Sequence, residues 1–112
     1  MKLFAALRQI RDFERGQLPF LKSMVDFDLI IEIGYAEEND KPLTLKQVLL
    51  LNLSSRTTVR RRLARLIHEG VIRRRKNTND ARSSHLTVAP SSLKTLGKYG
   101  VLLAATCALI SS

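Results

Sequence analysis

A mainly helical fold with one small β-hairpin is predicted for this chain of 112 residues. Apolar residues recur at spacings of three and four through most of the sequence, which is the pattern of amphipathic helices. Two short helical stretches with a tight turn between them are followed by two short stretches typical of a hairpin. The length and a hydrophobic content of 45% predict a single domain over residues 1–112.

The N-terminal third predicts flanking helices within residues 2–35. Gly16 is expected to end a first amphipathic helix over residues 2–14, and Pro19 to lie in the first turn of the next. Residues 20–35 are apolar on more than one face, which favours a helix central to the core. A strand over residues 29–33 is the alternative, but helix is favoured by acidic residues at helical spacing, interpreted as a solvated edge: Asp26, Asp28 and Glu32.

A helix-turn-helix is predicted over residues 44–69. Thr44 can cap a short helix that runs to about residue 51. Ser54 and Ser55 give a second capping signal before a helix that Gly70 ends. This second helix carries one apolar stripe, formed by Val59, Leu63, Leu66 and Ile67.

A wing is predicted over residues 71–89. Residues 71–75 and 85–89 have the composition of two strands, and the polar residues 76–84 that of a turn region. Pro90 then opens a final helix over about residues 91–110. A helix-turn-helix followed by a hairpin is a winged helix-turn-helix.

The positive charge of the chain is local. Ten of the nineteen Lys and Arg residues lie within residues 54–89, opposed by only Glu69 and Asp80, so this segment holds +8 of the formal +9. A concentrated basic surface attracts polyanions, and neutralisation of phosphates supplies much of the affinity for nucleic acid. A merely solvated charged face is the alternative, although clustered arginines without a compensating Glu ladder repel one another.

The second helix of the predicted helix-turn-helix would present its N-terminal half to base edges in the major groove of double-stranded DNA. An arginine at the hairpin tip can enter the minor groove, where the negative potential is enhanced. The residues that we expect to contact DNA are therefore Ser55, Arg56, Thr57, Thr58, Arg60, Arg61, Arg65, Arg74, Lys76 and Arg82.

The segments SSRTTVRRRLARLIHEGVIRR and DARSSHLTVA resemble the recognition helix and the D-x-R wing of MarR-type bacterial regulators. The resemblance covers about residues 42–96. It implies that Asp80 orients the wing and that Arg82 reaches DNA. Members of the family are commonly longer, with terminal helices that form a small-molecule pocket. This chain has one N-terminal helix of ordinary length and one C-terminal helix, so the family's effector-binding residues do not transfer to it and a small-molecule effector is not expected.

Two other classes of function stay open at this point. The basic face of a winged helix can dock an acidic protein, and a basic patch can bind RNA or coat the nucleoid. Few aromatic residues are available for stacking on single strands, since the chain has two Tyr and no Trp. Competition between duplex DNA and RNA would separate these functions.

The terminal helices are expected to form a homodimer, because their apolar residues exceed what a winged helix needs to cover its core. Packing within one monomer is the alternative. His68, His85 and Cys107 are scattered, so neither a metal nor another cofactor is expected, and Cys107 is interpreted as a small buried apolar residue. No pairing of a nucleophile with a base predicts an enzyme. The single cysteine, and an apolar run over residues 101–110 too short to span a bilayer, predict a cytoplasmic protein without a membrane partner.

Overall fold

The computed structural model describes residues 2–77 and 80–111, and it describes no side chain at residues 77 and 80–83. Five helices and one hairpin follow one another along the chain. Their bounds are α1 Leu3–Gln17, α2 Met24–Glu38, α3 Leu45–Leu50, α4 Arg56–His68, β1 Ile72–Asn77, β2 Asp80–Val88 and α5 Pro90–Ser111. This order confirms the prediction of a mainly helical winged helix-turn-helix with flanking helices.

The chain forms two compact units. Lys22–Ala89 contains α2, α3, α4 and the hairpin, whereas α1 and α5 form the other unit from the two ends of the chain. The helix-turn-helix and the wing therefore lie together in the first unit, which we call the winged unit. The second is called the terminal unit below.

The core of the winged unit draws apolar side chains from every one of its elements. Within it α2 packs against α4 and β2, and α3 also packs against both. Because α2 is apolar on more than one face, it can contact several elements at once. The buried apolar side chains of the winged unit are Leu29, Ile30, Ile33, Val48, Leu49, Val59, Leu63, Leu66, Val71, Ile72, Leu86, Val88 and Ala89.

Both helices of the helix-turn-helix begin with the predicted type of cap. Thr44 and Gln47 form a reciprocal capping box at α3, in which each side chain accepts the backbone N–H of the other residue. Ser55 caps α4 by accepting the N–H of Thr58 at 3.2 Å. Gly70 follows α4 with a φ of 78°, a left-handed conformation that glycine adopts without steric cost.

The hairpin strands are longer than the sequence predicted. Their antiparallel register pairs Ile72 with Val88 and Lys76 with Ser84, with an irregularity after Lys76. The predicted turn over residues 76–84 was therefore wrong, because backbone pairing continues through polar residues whose composition favours turns. A backbone hydrogen bond from Leu86 N–H to the Leu43 carbonyl at 2.8 Å ties the hairpin to the start of the helix-turn-helix.

In the terminal unit α1 packs against α5. Ala6 and Leu18 have no solvent exposure, and Thr106 is 2% exposed. Gly16 does not end α1 as predicted, since the helix continues to Gln17 and the adjacent Leu18 is buried. Pro19 also lies outside the helices, because α2 begins at Met24, where the Ser23 side chain accepts the N–H of Asp26.

Helix α5 is long and apolar enough to cross a membrane by length and composition alone. It has 22 residues, and its most apolar window has a mean hydropathy of 1.4. The sequence-based expectation that no segment spans a bilayer rested only on the uninterrupted apolar run over residues 101–110. The helix also includes the less apolar turns that carry Lys94 and Lys98. Much of the helix is exposed, including Val101 at 71%.

Candidate nucleic-acid interface

Helix α4 has a buried side and a basic side. Val59, Leu63 and Leu66 are at most 2% exposed and anchor the helix in the core of the winged unit. Its N-terminal half also presents an exposed and strongly basic surface, in the first turn and beside or opposite these anchors. Its members are Arg56, Thr57, Arg60 and Arg61, which we call the recognition face.

The cations of the recognition face are not neutralised locally. Among the side chains that the structure describes, no ion pair involves Arg56, Arg60 or Arg61. The first turn of α4 also has no acidic residue to offset the positive end of the helix dipole. Free backbone N–H groups at a helix N-terminus bind phosphate, so the same end of α4 can bind an anion.

Ser55 and Thr58 form the N-terminal cap that holds this end of α4. The Ser55 hydroxyl accepts the Thr58 N–H and donates to the Thr58 Oγ1 at 2.9 Å. Ser55 is exposed and Thr58 half-buried. Both residues were predicted to contact DNA, and the geometry gives them a structural role at the same position.

Arg65 lies at the edge of α4 and is engaged within the protein. Its side chain is 22% exposed, with Nη2 at 2.9 Å from Asp26 Oδ2 and Nη1 at 2.8 Å from Glu69 Oε2. Arg65 was predicted to contact DNA, but the structure places it in a bridge between α2 and α4. Asp26 was interpreted as part of a solvated edge, and this was wrong because its side chain is fully buried.

Sequence reasoning missed the Asp26 network because helical spacing alone does not show which side of α2 faces α4. A signal was present at the start of the helix. Ser23 and Asp26 stand three residues apart, as the N-cap and N3 residues of a capping box do. A carboxylate in that position is directed at backbone N–H groups rather than at bulk water.

Strand β1 adds a second basic surface, which we call the basic strand. It contains four consecutive exposed cations, so both faces of the strand are positively charged there. These residues are Arg73, Arg74, Arg75 and Lys76. Helix α4 packs against β1, so the basic strand and the recognition face belong to neighbouring elements of the winged unit.

The predicted wing residues Asp80 and Arg82 belong to β2 by their backbone. Their side chains lie outside the described residues, so their roles stay predictions. The neighbouring His85 is half-buried, and its backbone forms a bridge with Thr44.

Cys107 differs from its sequence-based interpretation. It is exposed on α5, whereas its apolar neighbours predicted a buried small residue. The buried residues of α5 are Ser92, Tyr99 and Thr106, a single stripe at intervals of seven, and Cys107 does not belong to it.

Among known proteins, only comparison with solved structures found matches, and these support the fold. No protein-family model and no curated protein sequence matches the chain. A mutant of S. aureus MepR is similar over 99% of this chain and 84% of its own, with 17% identity and a TM-score of 0.66. The transcriptional regulator Tm0710 from Thermotoga maritima is similar over 94% of this chain and 72% of its own, with 20% identity and a TM-score of 0.63.

A third solved structure is a cysteine-to-serine mutant of E. coli MarR in complex with operator DNA. It is similar over 89% of this chain and 69% of its own, with 16% identity and a TM-score of 0.58. Each likeness covers at least 89% of this chain. The chain has the winged-helix fold of MarR-type transcriptional regulators.

Proposed function

We propose that this protein is a sequence-specific regulator of transcription that binds double-stranded DNA and has no enzymatic activity. The observation that carries the proposal is the recognition face, an exposed row of arginines without ion-pair partners among the described side chains. The operator complex of a protein with the same fold supports DNA as the polyanion. A solvated surface alone does not account for arginines that crowd one end of an anchored helix.

In the proposed mechanism, different residues contact the bases and the phosphates of DNA. Arg56, Arg60 and Arg61 would donate to base edges in the major groove, because arginine makes two hydrogen bonds to guanine. Arg74 and Lys76 of the basic strand would contact phosphates, which position the protein and carry no sequence information. Arg82 would reach the adjacent minor groove, as the resemblance of the wing implies.

The terminal unit is proposed to form a homodimer. Several large apolar side chains of α1 and α5 are exposed, such as Phe4 at 81% and Val101 at 71%. Exposed apolar surface of this kind marks an interaction site, and a twofold dimer would match paired half-sites on DNA. Sedimentation should give twice the chain mass for the wild type and the single mass for Val101→Glu. A monomeric wild type, or one that partitions into lipid vesicles instead, would contradict the dimer.

Binding to a labelled duplex pool at increasing salt tests the function. Affinity is expected at low salt and should fall steeply as phosphate contacts release counterions. Unlabelled duplex DNA should compete better than RNA of the same length. Absence of duplex binding would favour a protein-interaction module, and better competition by RNA would favour an RNA-binding role.

A further inference from the structure

Asp26 is a fully buried charged residue at the start of α2. It lies in the first turn, where Ser23 accepts its backbone N–H at 3.3 Å and its own Oδ2 accepts the Lys22 N–H at 3.0 Å. A carboxylate at this position is stabilised by the positive end of the helix dipole. The local structure therefore holds Asp26 Oδ2 in a fixed place.

The same oxygen faces two arginines of α4. Arg65 Nη2 lies at 2.9 Å from Asp26 Oδ2, and Arg62 Nη1 at 3.7 Å. Arg62 and Arg65 stand three residues apart, so they lie side by side on adjacent turns of α4. Arg65 also donates to Glu69, which anchors its guanidinium from the other side. One carboxylate thus joins the first turn of α2 to two turns of α4.

Stability alone does not explain this arrangement. Within the described part of the chain, Asp26 Oδ1 and Arg62 Nε are buried without a hydrogen-bond partner, which is unfavourable. Apolar residues of similar volume often stabilise such a site as well as a buried ion pair does. An ion pair with a directed hydrogen bond provides something that apolar contact lacks, namely a fixed direction.

The ion pairs also hold two arginines of α4 away from its exposed surface. The side chains of Arg62 and Arg65 are only 29% and 22% exposed, while Arg56, Arg60 and Arg61 are exposed. Because successive residues of a helix are rotated by about 100°, contacts that hold Arg62 and Arg65 against α2 constrain the angle of the recognition face in addition to the buried Val59, Leu63 and Leu66. They also remove two of the five arginines of α4 from an exposed position.

We propose that Asp26 is a positioning residue for DNA recognition, which constrains the rotation of α4 and withholds Arg62 and Arg65 from phosphates. The proposal rests on the DNA-binding function proposed above. It implies that sequence discrimination depends on an acidic residue that does not itself contact DNA. Without this carboxylate, the two arginines become available for contacts that do not depend on sequence.

Asp26→Asn is the direct test, with Asp28→Asn as its matched control. Both substitutions remove one negative charge from α2 and preserve side-chain size, but Asp28 is half-buried and has no ion pair among the described side chains. For each protein, affinity would be measured for a selected duplex and for its scrambled version over a range of salt concentrations. Hydrogen exchange of α4 would report its local order.

Asp26→Asn should lower the ratio of the two affinities by about tenfold or more, comparable to losing one bidentate base contact. The slope of log affinity against log salt should steepen by up to about 2, since each added phosphate contact contributes about 0.9. Amide exchange in α4 should also become faster. Asp28→Asn should keep the wild-type ratio, slope and exchange.

If Asp26→Asn does not fold, Arg65→Lys serves as a second test. This variant keeps the positive charge but cannot bridge Asp26 and Glu69 with one planar group. This variant should lose discrimination and keep the wild-type salt slope. A wild-type ratio and slope in Asp26→Asn, an unchanged ratio in Arg65→Lys, or an equal effect of Asp28→Asn would overturn the positioning role alone. Failure of the wild type to bind any duplex would overturn the proposed function as well.

Discussion

The Tyr99 hydroxyl donates to Glu14 Oε2 at 2.6 Å and joins α5 to α1 across the terminal unit. The Tyr99 ring also stacks on Phe13, with ring centroids 5.7 Å apart. Burial raises the pKa of Tyr99 to about 12, and the hydrogen bond to Glu14 adds to the shift. The protonated phenol is therefore the form that the folded state prefers.

This shift predicts a loss of stability at alkaline pH. An unfolded tyrosine has a pKa near 10, so the folded state holds the Tyr99 proton more tightly than the unfolded state. The contribution is complete below pH 10 and is lost as the pH rises from about 10 to 12. It amounts to at most about 3 kcal/mol of the free energy of unfolding.

Urea unfolding of Tyr99→Phe and Tyr35→Phe at several alkaline pH values checks this prediction. Tyr35 is 64% exposed and serves as the control. Tyr99→Phe should flatten the decline between pH 10 and 12, whereas Tyr35→Phe should decline like the wild type. Identical pH profiles for all three proteins would contradict the assignment.

Ser55→Ala is expected to destabilise the protein by about 1 kcal/mol, because it removes the N-cap of α4. Ser54→Ala changes an exposed serine that caps no helix and should stay within about 0.5 kcal/mol of the wild type. Thermal unfolding of both variants distinguishes the two serines. Equal destabilisation by Ser54→Ala would show that the cap was assigned to the wrong residue.

The same substitution is expected to have opposite effects at two glycines. Gly70 has a φ of 78° and open space around its Cα, so Gly70→Ala should cost about 1 kcal/mol through the backbone alone. Gly97 lies within α5 and also has room for a methyl group, so Gly97→Ala should stabilise by about 0.5–1 kcal/mol. Chemical denaturation of the two variants gives the signs. Stabilisation by Gly70→Ala would argue against the left-handed backbone conformation of Gly70, the residue that follows α4 and its C-cap.

The elements of the helix-turn-helix could be predicted from sequence because their signals are local. The apolar stripe of α4, the cap at Thr44 and the glycine after α4 each act within a few residues. The hairpin length could not, since residues 76–84 have the polar composition of a turn, while the backbone pairing of Lys76 with Ser84 depends on register and turn geometry. The start of α2 was misplaced for a related reason, because apolar residues continue to either side of Ser23.

The candidate site also has one part that local sequence predicts and one part that depends on contacts between helices. Exposure of Arg60 and Arg61 follows from their positions beside and opposite the apolar stripe, and exposure of Arg56 from its place in the first turn of α4. The pairing of Arg65 with Asp26 joins residues far apart in sequence. No periodicity within either helix identifies which edge of α4 faces α2.

Arg60→Ala and Arg74→Ala are expected to affect DNA binding differently. Loss of a base contact at Arg60 should cost about 1–3 kcal/mol on a selected site and relax preference at one base pair. Loss of a phosphate contact at Arg74 should weaken binding to all sequences alike and reduce the salt slope by about 1. Titrations on matched and scrambled duplexes separate these outcomes. The reverse pattern would place base reading in the hairpin.

Selection of binding sites from a random duplex pool tests the central claim most directly. A sequence-specific dimer should enrich one motif made of two symmetric half-sites, with centres about one helical turn apart. The same selection with Arg60→Ala should lose preference at one position in each half-site. A pool that shows no enriched motif after repeated rounds would contradict sequence-specific regulation by this protein.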